Sequence, residues 1–359
     1  MKKKGSNAEM TSKERVELAL THKEADRIAI HDSPWGTTEA RWRREGMPKS
    51  STEYFGFEFR GFGGDTSLQL PHKVIEETDE YVISINADGA KMKNWKNRTS
   101  TPELLDFTIT SREIWEEYKP LMTMNEKRVD WEGQKNANKI CREAGFFCTL
   151  NFAPGFTKVC DMVGPERTLI AMAIEPEWIK DMFMTDAQLC VNLAEEMMGR
   201  GMEFDAGWIF DDLGFRDHGF FSPDMYRELL MPAHKLICDF FKSKGLFMIL
   251  HSCGYNMEFI PLYIEAGFDC IQPLEVKAGN DMLKLKKEYG DQLAFMGGID
   301  VRAMSSPNPD DIVREISTKI PFMKKGGGYI YHSDHSVPDD VSFQQYCRVM
   351  ELVAEYGKY

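Results

Sequence analysis

The chain of 359 residues contains no apolar run approaching the ~20 residues that a membrane-spanning helix needs, so an integral membrane protein is not expected. No Gly-x-Gly-x-x-Gly follows any apolar stretch, which removes the main sequence argument for a dinucleotide-binding sheet. The eight cysteines (Cys141, Cys148, Cys160, Cys190, Cys238, Cys253, Cys270 and Cys347) are scattered through apolar segments without a framework spacing. Reduced thiols in a cytoplasmic protein are therefore expected, and no disulfides. Clustered cations are also missing. The net charge is −13, which disfavours nucleic acid and anionic membrane as partners and argues mildly against a substrate with many carboxylates. The basic opening Met1-Lys-Lys-Lys-Gly5 is followed by polar residues where a secretory signal would carry its apolar stretch, and it reads as a disordered tail.

What remains is an ordinary globular composition, 42% hydrophobic and 28% charged, with 22 methionines read as flexible core filling. The length exceeds an average domain but suits a single (β/α)8 barrel with insertions, spanning residues 1–359. A first helix is predicted after Thr11-Ser12, with Glu14 placed to close a capping box. Arg27-Ile-Ala-Ile-His-Asp32 reads as a strand, followed by a helix carrying Trp35, Arg41 and Trp42. Residues 51–110 differ in character and read as an insertion. Within them Asn86-Ala-Asp-Gly89 is a turn signal between two alternating stretches, which predicts a β-hairpin.

From residue 145 onward six short apolar strands alternate with helical segments such as 185–200, 222–243, 257–266, 281–289, 309–319 and 342–356. Repeated βα units imply parallel strands. With at least one strand before residue 145, an α/β fold of the eight-stranded TIM-barrel type is expected. In that fold the site lies at the C-terminal strand ends. Those ends carry Asn151, Asp211, Asp212, His251, Cys253, Glu275, Asp300, Asp334 and His335.

The centre of this pattern is Gly245-Leu-Phe-Met-Ile-Leu-His-Ser-Cys-Gly254. His251 and Cys253 are two residues apart on extended chain, so they point to the same face. Imidazole nitrogen and thiolate sulfur are the donors zinc prefers, and a catalytic zinc needs only three protein ligands. Asp211 and Asp212 are candidates both for helix capping and for a substrate or ligand-supporting role. Glu275 at the neighbouring strand end is a candidate extra ligand or general base. Trp35, Arg41, Asn151 and Asp300 are candidate substrate or cofactor contacts.

These residues resemble the uroporphyrinogen decarboxylase superfamily, and within it the branch of zinc-dependent methylcobamide:thiol methyltransferases. The resemblance rests on the Thr11-Ser-Lys-Glu-Arg-Val16 helix, Phe210-Asp-Asp-Leu-Gly214, Phe221-Ser-Pro-Asp-Met-Tyr226, His251-Ser-Cys-Gly254, Gln272-Pro-Leu-Glu275, Gly297-Gly-Ile-Asp300 and Gly327-Gly-Tyr-Ile330 ahead of Pro338. It implies a TIM barrel with zinc bound by His251, Cys253 and a third ligand near the last strand. The branch's spacing places that third ligand at Asp334, while imidazole chemistry favours the adjacent His335. It further implies a methyl-corrinoid carried on a partner corrinoid protein and a small-molecule methyl acceptor, and it is compatible with a homo-oligomer. True decarboxylases carry an arginine-rich segment after the first strand, where this chain has His31-Asp-Ser-Pro-Trp-Gly36. Two alternatives stand beside the methyltransferase: a metal-independent decarboxylase and a corrinoid-binding barrel without turnover.

Overall fold

The structure is a computed structural model that describes residues 10–97 and 101–359. The basic tail at residues 1–5 lies outside the described residues. Eight parallel strands form the barrel: β1 (Ala29–Ile30), β2 (Phe59–Gly63), β7 (Phe147–Phe152), β8 (Ala206–Phe210), β9 (Phe247–His251), β10 (Cys270–Gln272), β11 (Ala294–Met296) and β12 (Tyr329–Tyr331). Their order is β1-β12-β11-β10-β9-β8-β7-β2, so consecutive strands of the barrel are paired except β1 and β2, which stand at the two ends of the order. An α/β TIM-barrel fold is thereby present as expected. All eight cysteines are free thiols. Among the described residues no helix is long and apolar enough to cross a membrane.

Residues 51–110 contain more than an insertion. Their Phe59-Arg-Gly-Phe-Gly63 stretch is the second barrel strand, paired with β7 from Phe59↔Phe147 to Gly63↔Asn151. Two glycines in five residues hide it from a propensity reading, because glycine is depleted in strands. The predicted hairpin is present as β4 (Tyr81–Ile85) and β5 (Ala90–Trp95), turning at Asn86 to Gly89. β3 (Lys73–Glu77) and β6 (Glu103–Phe107) widen it to a four-stranded antiparallel sheet.

The first helix spans Ser12–Leu20 and has the predicted capping box. Thr11 Oγ1 accepts from the Glu14 amide at 3.2 Å, and the Glu14 carboxylate accepts from the Thr11 amide at 2.8 Å. The single helix predicted over 222–243 is instead broken into Pro223–Met225, a π turn at Tyr226–Leu230 and Met231–Ser243. Pro232 has no amide hydrogen to continue a regular ladder, and wide turns of this kind accommodate such a gap. The wide turn also seats Tyr226 so that its hydroxyl donates to His234 Nδ1 at 3.0 Å.

Two apolar layers hold the barrel. The larger lies between strands and helices. The smaller fills the lumen with Ala29, Phe59, Phe147, Trp208, Ile249, Cys270, Met296 and Ile330. Between β1 and β2 one residue, Glu58, bonds to the β1 backbone through both its main chain and its side chain. The Glu58 amide donates to the Ile30 carbonyl at 3.0 Å, and its carboxylate accepts from the Ile30 amide at 2.7 Å. That carboxylate is 1% exposed and is paired with Arg15 and with Arg27, the latter at 3.2 Å. Removing one partner of a buried ion pair strands the other charges, so Glu58→Ala is expected to cost roughly 3–5 kcal/mol. Chemical denaturation measures this, and a loss below about 1 kcal/mol would mean water replaces the carboxylate at the seam.

Candidate metal centre

β9 ends in His251, and the chain then turns through Cys253 and Gly254. Alternation along the strand places Ile249 in the lumen and His251 above it, at the mouth. His251 Nε2 lies 3.4 Å from Cys253 Sγ and 3.4 Å from Asp212 Oδ1. These three residues offer ligand atoms within 4.8 Å of one another, the one such metal-competent group among the described residues. Asp212 arrives from the end of the neighbouring β8, and its Oδ1 also accepts from the Cys253 amide at 2.8 Å.

The far side of the imidazole is fixed by a chain of buried polar groups. The Ser333 carbonyl can only accept, so the 2.7 Å contact from His332 Nδ1 places a hydrogen there. Burial holds the His332 pKa below its ordinary value, which leaves the ring neutral and its Nε2 an acceptor. Gln272 Nε2 donates to it at 3.2 Å. The amide oxygen of Gln272 then accepts from His251 Nδ1, in register across β9 and β10. His251 Nε2 is thus the nitrogen presented to Cys253 and Asp212. Asp32 backs this chain, accepting from Tyr346 Oη at 2.6 Å, Tyr331 Oη at 3.3 Å and Ser333 Oγ.

Without a metal, burial opposes the charged imidazole, but hydrogen bonds to Asp212 and Cys253 more than offset this and push His251 up to about 10. Burial raises the Cys253 thiol, with His251 pulling the other way. Burial also works against the Asp212 carboxylate, yet the His251 contact and the Cys253 amide hold it below its usual range. One imidazole, one thiol and one carboxylate at this separation are a donor set that fits zinc.

The other candidates fall into different places. Asp211, fully buried, spends both oxygens on structure: Oδ1 accepts from the Thr157 amide at 2.7 Å, Oδ2 from the Phe156 amide at 3.0 Å and from His234 Nε2 at 3.1 Å. Glu275 accepts from the Gly254 amide at 2.8 Å and pairs with Lys277 at 3.0 Å, so it props the turn after Cys253. Asp334 does not join the group. Its two oxygens accept from the Val276 and Val301 amides at 2.8 and 2.9 Å, and burial pushes its pKa up to about 6. His335 does not join it either, its Nδ1 facing the Ser336 carbonyl at 3.3 Å and its ring edge-on to Trp35. Asp300 caps the Val301–Met304 helix and pairs with Arg302 at 2.6 Å. Arg41 pairs with Glu45 and donates to the Asp339 carbonyl at 2.7 Å, tying its helix to the C-terminal segment. Asn151 faces the lumen beside Trp208.

A cavity of about 500 Å³ opens beside the metal-competent group, with Asp212, Cys253 and Glu275 on its floor and Phe215, Phe220 and Lys277 among its walls. Sequence reading missed Gln272, His332 and these aromatics. Gln272 carried a signal: it is the one polar residue in Cys270-Ile-Gln272, at the strand position opposite His251. Replacing it with leucine frees the imidazole to rotate, and Gln272→Leu is expected to weaken zinc binding about 10–100-fold with folding retained. Unchanged zinc affinity in a competition assay with a chelator would show that the amide does not orient the ring.

Residues 81–356 match the uroporphyrinogen decarboxylase (URO-D) family. Among solved structures, a methyltransferase from Methanosarcina mazei superposes with a TM-score of 0.68 at 18% identity, covering 97% of this chain and 99% of that one. At that identity the likeness speaks for the fold. A vitamin-B12 independent methionine synthase from Listeria monocytogenes reaches a TM-score of only 0.41 at 12% identity, with 94% and 98% covered. No curated protein matches the sequence. By its fold and by the extent of that match, the chain belongs to the uroporphyrinogen decarboxylase family.

Proposed function

We propose that this protein is a zinc-dependent methyltransferase that moves a methyl group between a methyl-corrinoid and a small nucleophile, in anaerobic one-carbon or demethylation metabolism. The observation that carries the reading is the Asp212–His251–Cys253 group at the C-terminal strand ends. His251, Cys253 and Asp212 would hold the metal. Bound there, zinc would supply the positive charge that keeps an entering thiol ionised at neutral pH and hence nucleophilic.

The chain's own residues supply position. Gln272 and His332 fix which imidazole nitrogen faces the site. Glu275 holds the Gly254 amide, and with it the turn that carries Cys253. The cavity lies against the same residues, and its apolar aromatics suit the approach of a large flat methyl carrier. A corrinoid bound on a separate protein is the donor we favour, with a small thiol as acceptor. The fold supports this reading through its likeness to a methyltransferase, and the place of the metal group at the barrel mouth agrees with it.

Spectroscopic conversion of methylcobalamin to cob(I)alamin tests the proposal, using a panel of thiols and tetrahydrofolate with zinc-loaded and metal-free protein. Turnover only with zinc supports it. No acceptor giving turnover, while a carboxylated substrate releases carbon dioxide, would place the protein with the decarboxylases instead. Tight methylcobalamin binding without turnover, unaffected by Cys253→Ser, would indicate a corrinoid-binding barrel.

A further inference from the structure

The carboxylate of the metal-competent group leaves its strand without the strand's support. The Asp211 amide makes the last bond between β8 and β9, donating to the His251 carbonyl at 2.9 Å. Asp212 lies one residue beyond that ladder, and there a side chain takes over: Thr157 Oγ1 accepts from the Asp212 amide at 2.9 Å. The Asp212 side chain is 47% exposed, so packing on its solvent side does not set its direction. What sets it is the hold on its backbone, together with the Cys253 amide that donates to Oδ1 at 2.8 Å.

Thr157 is itself fixed by the neighbouring aspartate. It is the second residue of the Phe156–Val163 helix, whose Phe156 and Thr157 amides both donate to the Asp211 carboxylate. A negative charge is favoured at that end of a helix, where amides have no partner within the helix. Gly155 permits the close approach, since a Cβ there would fall 2.3 Å from Asp211 Oδ2. Behind the carboxylate, Oδ2 accepts from His234 Nε2 at 3.1 Å, and Tyr226 Oη donates to His234 Nδ1 at 3.0 Å. Asp211, His234 and Tyr226 are each 0% exposed, so water does not compete for these bonds. Tyr226 opens the π turn, and wide turns inside helices recur at functional sites. One aspartate is thus spent on seating the residue that holds the other.

We propose that Thr157 is a positioning residue for the metal carboxylate: seated by Asp211, with His234 and Tyr226 behind it, Thr157 holds the Asp212 amide and so aims Asp212 at the ion shared with His251 and Cys253. This rests on the metal reading above and extends it to a hydroxyl that does not itself reach the metal group.

The test is a zinc titration of the full chain in competition with a chelator, repeated with cobalt(II), whose visible absorption reports the geometry of its ligands. Thr157→Val deletes the hydroxyl and keeps both the shape and the backbone amide that Asp211 accepts from. Zinc affinity should fall about tenfold, and Thr157→Ser should restore it. The cobalt spectrum of Thr157→Val should shift toward that of Asp212→Ala, a change that a general loss of stability does not produce. With Asp212 already alanine, Thr157→Val should cost no further affinity, because no carboxylate is left to aim. Undiminished zinc affinity in Thr157→Val, or the same tenfold loss in the Asp212→Ala background, overturns the positioning role and leaves the metal site standing. A wild-type protein that binds neither zinc nor cobalt overturns the metal reading, and the positioning role falls with it.

Discussion

Zinc added to the metal-free protein at pH 7 should release about two protons per ion bound, one from His251 and one from Cys253. Metal ligands bind deprotonated, so every proton held by the empty site must leave. His251 holds its proton up to about 10, and burial keeps Cys253 a thiol at neutral pH, while Asp212 is already ionised. Zinc affinity should therefore rise about a hundredfold per pH unit between about pH 6 and 8. Calorimetry in buffers of different ionisation enthalpy counts the protons, and a release of only about one would mean that either His251 or Cys253 keeps its proton and is not a ligand. The sign in the metal-free protein is the reverse. A raised histidine pKa stabilises the fold fully below about pH 6.5, its unfolded value, and that contribution is lost as the pH rises through about 10.

Alanine at each of Asp212, His251 and Cys253 should lower zinc affinity by more than about a hundredfold, because a structural zinc site's 10–16 kcal/mol is shared among few ligands. Cys253→Ala should also abolish zinc-dependent turnover of methylcobalamin. His335→Ala, by contrast, should change affinity by no more than about threefold, since the ring faces Ser336 and Trp35. Asp334→Ala should act on stability instead, because the Val276 and Val301 amides lose their shared acceptor at about 1–3 kcal/mol each. The comparison is decisive in one assay. If His335→Ala weakens zinc as much as Asp212→Ala does, the third ligand comes from the last strand, as family spacing suggests, and the loop after Tyr331 must rearrange on binding.

Much of this was legible in the sequence because period-two alternation is local. His251 and Cys253 declared a shared face through spacing alone, and the βα rhythm after residue 145 declared the parallel barrel. The third member of the group was named but given another role, because Asp211 and Asp212 are adjacent and only the fold shows which one turns inward. Asp211 is consumed by the Phe156 and Thr157 amides and by His234, a demand set by a helix 55 residues away in the chain. The same limit hid β2, whose glycines serve the lumen rather than the strand. It also hid the pairing of Gln272 with His332, which lie on β10 and just past β12 and meet only when the barrel closes.

The turn after Cys253 also has a counterpart. Gly254 has φ 75° and lies directly against Gly214, so that a methyl group on either would collide with the backbone of the other's loop. The 3.2 Å bond from the Gly214 amide to the Cys253 carbonyl joins the same two loops. In a wider set of relatives these two positions should therefore behave as a single inherited character. A chain that trades one glycine for a larger residue must rebuild both loops, and with them the spacing between its carboxylate and thiol donors. The pair Gly214 and Gly254 would then mark, from sequence alone, which relatives have kept this metal geometry.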